Sequence, residues 1–337
     1  MFKMIIASLL LMVCFGTFAS RMPVEYTEID TINPRTNKPL KLSVWYPKGK
    51  KCDAGKLCLA QEAKLNQGII LTHGAMGSAR ELNWLGFATA SQGFVTVGVN
   101  HYGESWVYGQ SDIDPTVVLK LWERSREVSS TLDILSANAL PRDEEEALFN
   151  QNINWHNVTA IGFSSGGSTV ISLSGGVYQP ENALSYCASA KSEGDLGCQY
   201  SKDKVFDKEL FEGASELMLD ERVKLAIAFD PAAGHIMNVD SLKNITLPIL
   251  IVGAKQNDFL PFDNHAAFYD ENIPLSTLVT LNNGEGHFVF IDSCEHDYKA
   301  MGLSLCKDRD GVNRDDTHNR LYADIFKFIY INQHVMK

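Results

Sequence analysis

No apolar run in this sequence reaches the roughly twenty residues that a membrane-spanning helix needs, and the N-terminal run Met4 to Val13 is too short. No basic cluster stands out, and the formal net charge is −11, so the composition speaks against binding to nucleic acid or to an anionic membrane surface. A linker rich in Pro, Ser or Gly is also missing, so nothing divides the 337 residues into two domains. No cysteine spacing is Cys-x-x-Cys, the common half of a zinc site. What is present is 45% hydrophobic and 10% aromatic residues, enough apolar surface for one large core.

The N-terminus reads as an export signal. Lys3 supplies a positive start, Met4 to Val13 an apolar centre, and Thr17-Phe18-Ala19 the small residues of a cleavage site after Ala19. This leaves residues 20–337 as one domain, expected in the periplasm or secreted. Cys14 raises the alternative of a lipoprotein, but Val13 is a poor residue directly before a lipidated cysteine. Removing the signal leaves Cys52, Cys58, Cys187, Cys198, Cys294 and Cys306. An even number in an exported chain reads as disulfides, and six cysteines allow 15 connectivities. Their grouping in sequence favours 52 with 58, 187 with 198, and 294 with 306. Metal binding is the competing reading, but no histidine pair accompanies these cysteines to complete a site.

Two alternating segments, Val24 to Ile32 and Leu40 to Tyr46, predict an antiparallel hairpin joined at Asn33-Pro34. Apolar runs then recur at Gly68–Thr72, Phe94–Val99, Val158–Gly162, Val223–Phe229, Pro248–Val252 and Leu278–Leu281. Helix-length stretches lie among them at Thr116–Ala139, Ser168–Leu173, Asn264–Asp270 and Asp316–Ile331. Strands alternating with helices predict an α/β fold, a mainly parallel sheet covered on both faces, with its chemistry at the carboxyl ends of the strands. The polar interval Tyr178 to Arg222 breaks this rhythm. It holds Cys187 and Cys198 and a helix-like stretch with Phe206, Leu210, Phe211 and Leu217 on one side. It reads either as a cap inserted over the site or as a surface decoration.

Gly162-Phe163-Ser164-Ser165-Gly166 follows the run Val158 to Ile161 and precedes a helix-like stretch. In that context it reads as a nucleophile elbow, a tight strand-to-helix turn that pushes a serine hydroxyl out of the backbone. The turn strains the serine and leaves almost no room for side chains two residues before and after it, a demand that Gly162 and Gly166 meet. The competing reading is a glycine-rich loop with a solvated serine. An alcohol is a poor nucleophile at neutral pH, so Ser164 needs a base. His287, in Gly284-Glu285-Gly286-His287-Phe288 just beyond the last expected strand, is the best placed of nine histidines. A carboxylate must in turn fix the imidazole tautomer. Asp258, after the strand ending at Val252, is the expected acid; Asp230, which ends the preceding strand, is the alternative.

Attack on a carbonyl creates an oxyanion, for which backbone N–H groups must already be aimed. Ser165 should supply one, and Ala75 in His73-Gly74-Ala75-Met76-Gly77 the other. Such chemistry requires neither metal nor organic cofactor, and the expected partner is a small-molecule or lipid-like ester. Two weaker patterns complete the reading. Asp308-x-Asp310-Gly311-x-Asn313-x-Asp315 hints at a calcium loop, but its glycine is misplaced and no Glu closes it. His101, with Trp106 and Tyr108 nearby, either lines the pocket or packs the loop after a strand.

These residues together resemble the α/β-hydrolase superfamily. More narrowly, the chain resembles exported bacterial dienelactone hydrolase-like proteins, which are similar to platelet-activating-factor acetylhydrolases. The resemblance runs from near residue 24 to the C-terminus. It rests on Leu42-Ser43-Val44-Trp45-Tyr46-Pro47, His73-Gly74 with Gly77-Ser78, Trp122-Glu123-Arg124 with Leu132-Asp133-Ile134-Leu135, the serine elbow, Gly286-His287-Phe288 with Phe290 and Cys294, and Arg314 with His318. It implies a serine carboxylic ester hydrolase working through Ser164, Asp258 and His287. Phospholipid acyl hydrolysis, peptide cleavage and a non-catalytic binding protein on the same fold are the alternatives. True dienelactone hydrolases use a cysteine where Ser164 stands, so their substrate does not carry over. Eukaryotic acetylhydrolases place the acid after the preceding strand, which keeps Asp230, and less directly Asp240, in view.

Overall fold

Apolar runs bounded by turn residues become the strands of a single eight-stranded sheet. In the computed structural model, the described residues are 21–49, 58–137, 139–140, 153–200, 202 and 211–336. The expected export signal, Cys52 and its pairing with Cys58, and Phe206 and Leu210 lie outside them. β1 (Val24–Ile32) and β2 (Pro39–Pro47) form the opening hairpin, in register from Val24 opposite Pro47 to Ile32 opposite Pro39. Its turn is local: Asn33 Oδ1 accepts the Arg35 N–H at 3.0 Å, and Asn37 takes a φ of 55° that asparagine tolerates.

β3 (Gly68–Thr72), β4 (Val95–Asn100), β5 (Val158–Phe163), β6 (Val223–Phe229), β7 (Ile249–Ala254) and β8 (Ser276–Leu281) follow. The spatial order is β1-β2-β4-β3-β5-β6-β7-β8, with β3 to β8 mutually parallel and β2 antiparallel to both of its neighbours. Every residue of β3, β4, β5 and β7 is buried, as expected of strands covered on both faces.

The covering helices are α1 (Asn83–Ser91), α2 (Leu121–Ser136), α3 (Ser165–Leu173), α4 (Asn182–Cys187), α5 (Val239–Lys243), α6 (Ala266–Asn272) and α7 (Arg314–Ile331). Side chains alternate along each strand, so β3 sends Ile70 to one core and Ile69 and Leu71 to the other. On the Ile70 side, Val128 and Leu132 of α2, Val170 and Ile171 of α3, and Tyr269 of α6 close the core. On the other, Leu85 of α1 and Leu321, Ile325 and Ile329 of α7 do so. Each fully buried aliphatic side chain contributes roughly 1.5–3 kcal/mol, so these two layers rather than local propensity hold the sheet.

The helix expected from Thr116 begins only at Leu121, after a short turn at Val117–Leu119. Asp114 Oδ1 accepts both the backbone N–H and the hydroxyl of Thr116, a local arrangement that competes with helix formation. Two expected disulfides are present, Cys187–Cys198 and Cys294–Cys306. Such bonds persist in oxidising compartments. Among the described residues, no helix is long and apolar enough to cross a membrane.

Candidate active site

The turn from β5 into α3 is dictated by close backbone packing. A Cβ on Gly162 would lie 2.0 Å from the Gly166 carbonyl oxygen, and one on Gly166 would lie 2.1 Å from the Thr72 carbonyl oxygen. Neither obstacle is a side chain that could turn away, so only glycine fits at both places. Between them Ser164 is held at φ 56°, ψ −115°, its N–H bonded to the Phe229 carbonyl and its own carbonyl bonded to the Ala232 N–H. Met76, Asp230 and Ala233 also have positive φ. Such residues cost on the order of 1–3 kcal/mol each and gather where a site over-determines the backbone.

His287 follows β8, and its Nε2 lies 3.0 Å from Ser164 Oγ. The ring is 1% exposed and packs between Phe163 and Phe259, with centroids 4.8 and 5.1 Å away. Behind it, Asp230 Oδ2 lies 3.3 Å from His287 Nδ1. The Asp230 carboxylate is itself fixed, since Oδ1 accepts the Ala254 N–H at 2.8 Å and Oδ2 accepts from Asn257 Nδ2 at 2.7 Å. Burial pushes this carboxyl above its ordinary value, while the hydrogen bond and charge of His287 and the Ala254 N–H pull the other way.

Of the two aspartates, the structure brings Asp230, the alternative, to the His287 ring, and not Asp258, the expected acid. Asp258 does not meet the imidazole: its Oδ1 accepts the backbone N–H of His287 at 2.9 Å, and its Oδ2 pairs with Arg309 at 3.1 Å. The reason is the strand order. β6 lies next to β5, so a residue ending β6 reaches under the ring, whereas Asp258 lies beyond the end of β7, one strand further out. Asp258 instead holds the loop that carries His287. Asp240 is mostly solvent-exposed on α5 and pairs with Lys243.

The loop 73–77 leaves β3 toward Ser164, and Ala75, Gly74 and Met76 share the cavity wall with Ser164 and Ser165. As the first residue of α3, Ser165 has an N–H with no partner inside the helix. This loop is held by residues whose role no sequence pattern announces. Arg124 of α2, 2% exposed, donates to the His73 carbonyl, pairs with Glu104, and reaches Thr169 Oγ1 of α3 at 3.3 Å. Glu104 Oε1 in turn accepts the Met76 N–H at 3.4 Å. His73 accepts the His101 N–H at Nε2, and burial together with the Arg124 charge holds its imidazole well below the ordinary value. The only advance signal was an arginine within an otherwise amphipathic helix.

His101 packs the loop rather than lining the cavity. Its Nε2 lies 2.8 Å from Thr72 Oγ1 and its Nδ1 lies 2.6 Å from Glu127 Oε2, with Glu127 pushed by burial up to about 8. Tyr108 accepts the Lys41 N–H and donates to the Asn100 carbonyl, and Trp106 is largely exposed.

Ser164 opens on a cavity of about 430 Å³. One wall comes from turns at strand ends and includes Phe163, Phe259, Leu260, Phe288 and Ile291. The described part of the inserted interval contributes Pro180, Ala183, Cys187, Tyr200 and Phe211 to the lining of the same cavity. Lys299, Ala300, Met301 and Leu305, from a small hairpin closed by Cys294–Cys306, complete the rim. Asp195, His235 and His265 also reach this cavity, an association no spacing in the sequence announces. No protein-family model matches the chain, and no curated protein matches it either.

Proposed function

We propose that the chain is a serine hydrolase of the α/β-hydrolase type that cleaves carboxylic esters, and that its N-terminal segment directs it to export. One observation carries this reading: a serine hydroxyl 3.0 Å from an imidazole Nε2, on a strained strand-to-helix turn, with a buried carboxylate at the other ring nitrogen.

Ser164 Oγ attacks the ester carbonyl carbon while His287 Nε2 takes its proton. Asp230 keeps the other ring proton on Nδ1 and stabilises the imidazolium. The N–H groups of Ser165 and Ala75 receive the developing oxyanion. Collapse breaks the carbon–oxygen bond to the alcohol, which leaves with the proton from Nε2, and Ser164 holds the acyl group. Water then repeats the attack, with its proton passing through His287, and releases the acid. A cavity of about 430 Å³ with a mostly apolar lining suits a small ester with an apolar acyl group.

The test is labelling by a fluorophosphonate together with hydrolysis of a short p-nitrophenyl ester. Both are expected from the unmutated chain, and Ser164→Ala should lose labelling and about a millionfold in turnover. Labelling that persists in Ser164→Ala would sink the assignment.

A further inference from the structure

We propose that Asp195, His235 and His265 bind one divalent transition-metal ion of the zinc type, and that this ion fastens the interval 178–222 to the body of the protein over the cavity. The three side chains come from separate parts of the chain. Asp195 lies in the inserted interval, His235 in a short turn after β6, and His265 directly before α6. Each offers one ligand atom within 4.8 Å of the other two.

Asp195 and His265 already meet, with His265 Nε2 2.8 Å from Asp195 Oδ2, and both side chains are essentially buried. That pair is completed without His235, because the Tyr186 hydroxyl and the Gly197 N–H also donate to Asp195. His235 is nevertheless held beside them, stacked on Tyr186 at 3.8 Å, with its Nδ1 buried and without a hydrogen-bond partner among the described residues. A buried ring nitrogen with no partner, next to a second imidazole and a carboxylate, is the N/O donor set that zinc prefers; calcium and magnesium select oxygen alone.

Tetrahedral zinc requires donor atoms about 3.4 Å apart, so separations of up to 4.8 Å must close while the 2.8 Å His265–Asp195 pair opens slightly, which small side-chain shifts supply. Ligation through His265 Nε2 moves that ring's proton to Nδ1 and gives up the long 3.4 Å contact from the Gly234 N–H. Tyr186 then orients the ligating carboxylate from outside, as partners of metal ligands do. Three protein ligands leave a fourth position open, and all three ligands line the cavity.

The inference does not depend on the reading of Ser164, and binding is measured directly. After chelator treatment and dialysis against zinc, the full chain should retain one equivalent. X-ray absorption at the zinc edge should show two imidazoles with oxygen ligands at about 2.0–2.1 Å. His235→Phe keeps the ring stacked on Tyr186 but removes both nitrogens, and should weaken binding by about a hundredfold or more. Ser164→Ala, and His156→Ala at an exposed histidine, should bind as the unmutated chain does. Failure to retain zinc, thiolate ligation, or undiminished binding by His235→Phe overturns the proposal. Should His235→Phe not fold, the absorption spectrum of the unmutated chain decides alone.

Discussion

The two walls of the cavity are built on different principles. The wall carrying Ser164, His287 and the 73–77 loop consists of turns at the ends of buried parallel strands, each clamped by neighbouring backbone or by a buried charge. The wall lined by the inserted interval has, among its described residues, one six-residue helix, short 3₁₀ turns, the Cys187–Cys198 bond and the contact of Asp195 with His265. The first is placed by the sheet, so its geometry tolerates little change. The second is placed by separate tethers to the body, such as the Leu196 N–H to the Phe259 carbonyl and Asn264 Nδ2 to the Lys191 carbonyl, rather than by the sheet. On the function proposed above, chemistry would belong to the first wall and choice of substrate to the second.

The sharpest way to break this division is at the acid. Asp230→Asn should lower turnover by about 10⁴-fold, because an amide no longer holds the imidazole in the required tautomer. Asp258→Asn retains an oxygen for the His287 N–H and should stay within about tenfold of the unmutated chain. Side-by-side kcat values check this, and the reverse ranking would restore Asp258 as the acid. Next in size is Arg124→Met, which leaves Glu104 buried and unpaired and should cost about 3–5 kcal/mol in denaturant unfolding. Replacing both partners, Arg124→Met with Glu104→Leu, should recover much of that stability but not the activity. The His73 carbonyl and the Met76 N–H still lose their anchors. Full recovery of turnover in the double variant would show that the clamp serves stability alone.

On the other wall, Cys187→Ser with Cys198→Ser removes a tether that closes a short loop, worth about 3 kcal/mol to that segment. The rate of fluorophosphonate labelling at Ser164 should stay nearly unchanged while KM across a series of acyl chain lengths shifts. A parallel loss of both would mean that the insertion also supports the catalytic wall.

The same division explains how much could be read from the sequence. Strands such as Gly68–Thr72 and Val223–Phe229 appear with the expected ends, because continuous apolar runs bounded by polar turns have one stable placement in a covered sheet. Ser164 and His287 were legible because glycines and strand ends mark them. Asp230 and Asp258 could not be ranked from chain order, since both follow strands before His287; only the adjacency of β5 and β6 separates them. Arg124 stood in the sequence only as part of Trp122-Glu123-Arg124 with no partner named, and Asp195, His235 and His265 left no pattern, because their partners are distant in sequence and brought together by packing.

The smallest expected effect concerns the fixed wall's own electrostatics. Glu81 lines the cavity beside Gly77 at the end of the 73–77 loop, and burial, reinforced by the charge of Asp292, pushes its carboxyl from an ordinary 4.5 up to about 7. A carboxyl whose value is raised by folding binds more protons folded than unfolded, so the stability it provides is complete below about pH 4.5 and is lost as the pH climbs through 7. Glu81→Gln removes that titration. Its melting temperature should therefore exceed that of the unmutated chain by about 2–4 °C at pH 8 and by less at pH 5. Calorimetry at the two pH values checks the sign. Equal differences at both would mean that Glu81 is solvated and that the turn-built wall carries no buried charge on this side. A difference confined to pH 8 would mean that this wall is tuned by desolvation as well as by backbone fit.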